Sequence, residues 1–100
     1  MKNANFYSQA IAYSIVSLSM GHTARADFYQ LLGVFINECA TDVGKLQVLE
    51  LSQILPPYFW DKINKWQKGI VGRCMAKMVR EGMVGFRRIS GKGTYKYQKI

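Results

Sequence analysis

"GIVGRCMAKMVREGMVGFRRI", residues 69–89, decides how the C-terminal half of this 100-residue chain is read. Just upstream and through it, Trp66, Ile70, Val71, Cys74, Met75, Met78 and Val79 recur at helical spacing. They predict one buried face of a helix from Trp66 to Glu81. Arg73, Lys77 and Arg80 fall at i, i+4 and i+7, a cationic stripe on the opposite face, and Gly82 stands where a helix usually stops. Gly69 and Gly72 each cost a helix about 1 kcal/mol relative to alanine. Their presence predicts close approach by a neighbour, most simply another helix.

Downstream, "MVGFRRIS" (83–90) and "TYKYQKI" (94–100) are β-rich and are separated by Gly91, Lys92 and Gly93, the composition of a tight hairpin connection. Alternation places Val84, Phe86 and Arg88 on one face of the first strand, with Gly85, Arg87 and Ile89 on the other. Tyr95 and Tyr97 share a face of the second strand, opposite Thr94, Lys96 and Gln98. A two-stranded ribbon is marginal alone, so it must lean on the helices.

Upstream, "KLQVLELSQILPP" (45–57) fits a short helix or a strand entering one. Pro56 and Pro57 end whatever precedes them, and "PPYFWDKINKW" can start a new short helix. Nearer the N-terminus, apolar residues from Asn5 to Met20 predict a first helix that Gly21 stops. Thr23 or Asp27 can cap a second, along which Phe28, Leu31, Leu32, Phe35, Ile36 and Cys39 form one apolar stripe ending before Thr41 to Gly44. This pair reads as a scaffold or a dimer interface.

Charge divides the chain at its middle. Residues 1–50 carry three basic and four acidic side chains, whereas residues 51–100 carry eleven basic and two acidic, so the whole net charge of +8 and more comes from the second half. Such segregation favours an anionic partner, nucleic acid first. Two cysteines and one histidine cannot make a four-ligand zinc site, and Cys39 and Cys74 read as small hydrophobes of a reduced, cytoplasmic protein. "AIAYSIVSLSM" followed by "TARAD" imitates a secretory leader, but Lys2 is the sole early charge and Tyr13, Ser14, Ser17 and Ser19 interrupt the apolar run. No stretch reaches the ~20 apolar residues of a membrane span, and the first amphipathic segment lacks the basic polar face that membrane-surface binding wants. His22 has no nucleophile near it in sequence, and the six carboxylates show no acid/base or metal spacing. Nothing reads as an enzyme, a cofactor site or a metal site. Trp60 and Trp66 can in principle stack on bases, but beside an apolar helix they read as core, and Met75 and Met78 as core filler.

In order, "GIVGRCMAKMVREGMVGFRRI" and then "GKGTYKY" resemble the winged helix-turn-helix family, in which a recognition helix runs directly into a β-hairpin wing. The resemblance covers about residues 46–100 and rests on residue types and spacings. The eleven residues "PYFWDKINKWQ" (57–67) depart from it, since a turn of three or four residues is usual there. Either residues 57–65 are themselves the second helix or the chain is a divergent variant. The resemblance implies that Gln67, Lys68 and Arg73 lie nearest the bases, Lys77 and Arg80 nearer the backbone, and Arg87, Arg88, Lys92 and Lys96 on the wing.

The expected fold is therefore α+β in one domain: two N-terminal helices (residues 1–45, scaffold or dimerisation), then a winged helix-turn-helix with a C-terminal β-hairpin wing (46–100). The expected function is double-stranded DNA binding by a small regulator of the phage or mobile-element type, with a homodimer through the N-terminal helices as an option. The alternative is a winged-helix protein-interaction module that docks an acidic protein partner on its basic face and inhibits it.

Overall fold

Residues 14–89 and 95–100 are described by a computed structural model of the chain. The expected first helix, Asn5 to Met20, lies partly outside these residues, and its described end is not helical. Ile15–Ser17 (β1) pairs antiparallel with Thr23–Arg25 (β2). Val16 and Leu18 turn inward while Ile15, Ser17 and Ser19 face out, an alternation of period two. Met20 and Gly21 reverse the chain, both with left-handed backbone at φ 58° and 76°. A helix cannot pass through two such residues.

The chain enters helix α1, Ala26–Cys39, with no side-chain cap from the residue before it. Asp27 instead accepts from the Phe28 amide at 2.8 Å and holds the Arg25 guanidinium through two bonds. The buried face of α1 is Tyr29, Leu32, Gly33 and Ile36, continued by Ala40. The expected stripe is thus rotated: Leu31 is 70% exposed and Phe28 sits at the rim.

Val48–Glu50 (β3) runs directly into the short helix α2, Leu51–Ile54, where Glu50 and Gln53 make a reciprocal capping box. Leu55 and Pro56 break the helix and Pro57–Trp60 forms one more turn, α3. The Phe59 ring packs at 5.3 Å on Phe35 of α1. Asn64 then caps the long helix α4, Lys65–Glu81, again with a capping box, here to Gln67.

Ile70, Val71, Cys74, Met75 and Met78 form the buried face of α4. Trp66 does not join them; it is 69% exposed. The helix stops at Gly82 in the left-handed region (φ 71°), with the amides of Gly82 and Met83 returning to the carbonyls of Val79 and Met78. This 5→2 and 6→1 pair is the Schellman arrangement. Asn37 of α1 bonds both the Met83 carbonyl and the Gly85 amide, fixing where the chain leaves α4.

Phe86–Ile89 (β4) and Lys96–Lys99 (β5) are antiparallel, and β3 adds on the far side of β5, giving the strand order β3-β5-β4. The hairpin ribbon is therefore held by a third strand as well as by the helices. Leu46, itself left-handed at φ 69°, starts that pairing by donating its amide to the Lys99 carbonyl. Phe86, Tyr97, Met75, Met78, Leu55 and Ile36 meet in one core beneath this sheet. The chain is α+β, with four helices and two small antiparallel sheets among the described residues.

Candidate nucleic-acid interface

Helix α4 lays small residues along its outer face. Gly69, Gly72 and Ala76 form the floor of a cleft of about 390 Å³, with Arg73 and Arg80 of the same helix and Arg88 of β4 in its walls. The turn at Ser19 and Met20 closes one side and Tyr95 the other. Neither glycine is where a helix packs: the Cβ position of Gly72 has nothing within 4 Å, and that of Gly69 meets only the Arg73 guanidinium at 3.0 Å. The close neighbour expected at these glycines is an open cleft.

The three cations arrive by different routes. Arg73 folds back over Gly69, and Arg80 projects from the last turn of α4 into solvent. Arg88 sits over Tyr95, its guanidinium carbon 3.8 Å from the ring centroid, which fixes its direction. Among the described residues no carboxylate lies within salt-bridge distance of any of the three. Three guanidinium groups outside any ion pair around one hollow, with Glu81 near Arg80 as the one carboxylate of the described residues that feels them, make a ready site for phosphate oxygens.

The remaining expected site residues go elsewhere. The Gln67 side chain is committed to the α4 cap, accepting from the Asn64 amide at 2.8 Å. Lys68 lies 5.3 Å over the Trp60 ring. Lys77 leaves the cationic stripe for Glu81, at 3.5 Å. Arg87 bonds Gln98 Oε1 at 2.8 Å, and with Lys96 it occupies the opposite face of the ribbon from Arg88. Lys92 and the Gly91 to Gly93 turn lie outside the described residues. The Arg88–Tyr95 stack and the part played by the β1–β2 turn are not legible in the sequence. Two of the diversions are: Asn64 and Gln67 stand at capping-box spacing, and Lys77 and Glu81 at i, i+4.

Glu81 also accepts a 2.8 Å bond from the Tyr29 hydroxyl of α1. That bond, with Lys77 beside it, holds the Glu81 carboxyl below its ordinary range. Burial and the same bond push the Tyr29 hydroxyl well up. Burial raises the Cys74 thiol to about 11, so it stays protonated and unreactive at neutral pH. Cys39 is raised as well, by burial first. Among the described residues no three His, Cys, Asp or Glu side chains are grouped as a metal site requires, and no helix is long and apolar enough to cross a membrane.

A scan against protein-family models and searches of curated proteins and of solved structures found no match to this chain.

Proposed function

We propose that this protein binds double-stranded DNA through the outer face of α4 and the β4–β5 ribbon, in the manner of a winged helix-turn-helix regulator. The observation that carries the proposal is the convergence of Arg73, Arg80 and Arg88, from two separate elements, on one cleft that no carboxylate of the described residues lines and where none of the three forms an ion pair. The order of elements supports it: β3, two short helical pieces, a long helix, and a hairpin that follows that helix directly and is pinned by β3. In such an arrangement α4 would enter the major groove while the ribbon lies along a phosphate backbone. A floor of glycine and alanine lets a sugar-phosphate chain come close to the helix axis.

Fluorescence anisotropy with a duplex of ~20 base pairs, titrated at several salt concentrations, tests this. The wild type should bind with log affinity falling linearly against log salt. Arg73→Ala combined with Arg88→Ala should flatten that slope by about one for each phosphate the protein no longer neutralises. Lys77→Ala, which alters a cation turned away from the cleft, should change the slope less. Absence of binding even at ~50 mM salt, where attraction to phosphate is strongest, sinks the DNA proposal and turns attention to an acidic protein partner.

Homodimerisation through α1 belongs to the same proposal. Leu31 of α1, 70% exposed, lies beside Phe28, Tyr58 and Trp66 in an apolar shoulder rimmed by Arg25 and Asp27, and Val34, 59% exposed, follows Leu31 along the same helix. A second copy seated there would pair two clefts for two half-sites. Sedimentation should give a dimer that Leu31→Asp returns to monomer, and a monomeric wild type would refute the pairing.

A further inference from the structure

A second hollow opens on the other side of the α4 glycines. It measures about 280 Å³ and shares Gly69, Gly72 and Tyr95 with the arginine cleft, so the two are continuous across the helix surface. Its remaining walls are unlike the cleft. Trp60, Tyr97 and Leu51 make it aromatic and apolar, and its charged groups are Lys68, over the Trp60 ring, and Glu50, which belongs to the α2 capping box. The Glu50 carboxylate makes the slot a poor place for a phosphate, and the aromatic walls make it a good one for an uncharged planar ring.

We infer that this slot takes a single unpaired nucleobase whose phosphates lie in the arginine cleft, so that the protein prefers DNA with a single-stranded segment beside a duplex. The inference rests on the DNA-binding proposal above and extends it. A base inside a duplex offers only its edges, since both its faces are stacked on neighbours. A wall made of aromatic rings reads faces, which only an unpaired base presents. The size fits the same conclusion, being at the small end for a ligand pocket. The glycines at 69 and 72 matter at the junction, because a side chain there would stand between phosphate site and base site. Tyr95 serves both, with Arg88 stacked on its ring on the cleft side.

The test uses three DNAs of one sequence: a blunt duplex, the same duplex with a short single-stranded extension, and that extension made abasic. Affinities are measured by anisotropy, and the quantity read is the ratio of extended to blunt within each protein variant. The wild type should favour the extended duplex by about tenfold, and the abasic extension should lose that preference, because stacking of one base supplies it. A fluorescent purine analogue in the extension should be quenched on binding. Tyr95→Leu, at a residue 47% exposed and so tolerant of change, and Trp60→Leu should both bring the ratio close to one. Equal affinity for all three DNAs, or a preference that survives in the abasic extension or in Tyr95→Leu, overturns the base slot and leaves duplex binding standing. If none of the DNAs binds even at low salt, the DNA-binding proposal and the slot fall together.

Discussion

The inner face of α4 carries Ile70, Val71, Cys74, Met75 and Met78, all buried, whereas its outer face carries Gly69, Gly72 and Ala76 together with Arg73 and Arg80. The same helix thus obeys two different rules. On the inner side every group is answered: apolar side chains meet apolar side chains, the last carbonyls are closed by the Gly82 turn, and Glu81 has both Tyr29 and Lys77. On the outer side, positions that alanine or leucine would stabilise hold glycine, and among the described residues Arg73 and Arg80 form no ion pair. Stability alone explains the first face. The second makes sense where an anion completes it.

Substitutions on the two faces should therefore differ in kind. The largest effect belongs to the inner face, where Met75→Ala should cost about 2–5 kcal/mol and lower Tm by on the order of ten degrees or more. Arg80→Ala on the outer face should stay within about 0.5 kcal/mol. Thermal unfolding of the two variants measures this directly, and an Arg80→Ala as damaging as Met75→Ala would erase the distinction between the faces.

A smaller loss is expected from Tyr29→Phe, read through its pH dependence. The folded pKa of Glu81 is depressed, so its contribution is present above the ordinary value of 4.5 and is lost as pH falls below it. That of Tyr29 is raised, so its contribution is present below the ordinary value of 10.0 and is lost as pH climbs above it. Urea midpoints across pH 3 to 7 should fall more steeply toward acid in the wild type than in Tyr29→Phe. Parallel curves would show that the hydroxyl does not hold the carboxyl down.

The smallest change has the opposite sign. Gly72→Ala should stabilise by up to about 1 kcal/mol, because its Cβ meets no atom within 4 Å and a helix interior favours alanine. A gain in urea midpoint together with weaker DNA binding would place the glycine on the functional side. A loss of stability would mean that the outer face is closed off by something in the free protein.

Much of this helix is legible from residue types. Its buried face repeats at three and four residues without interruption, Gly82 marks the stop, and the alternation in 84–88 puts Val84, Phe86 and Arg88 on one side. Trp66 misleads because it lies at the edge of the apolar arc, where Phe28 and Ile70 cover it incompletely. Ile15, Val16 and Leu18 mislead because so short a run fits a period of two as well as 3.6, and the deciding feature is the left-handed turn at Met20 and Gly21. The cleft itself is not legible in this way. Alternation already separates Arg87 from Arg88, but only the packing of the ribbon on α4 shows that the face of Arg88 borders the cleft while Arg87 turns to Gln98.

Strand β5, the last of the described strands, is the middle strand of its sheet, bonded to β3 on one side and β4 on the other. During synthesis, α1 and α4 can form and begin to pack while β3 and β4 still lack a partner. Tyr95, the ring on which Arg88 rests, arrives immediately before β5. The cationic cleft is consequently complete only once β5 has docked between β3 and β4, the step that also sets the Tyr95 ring under Arg88.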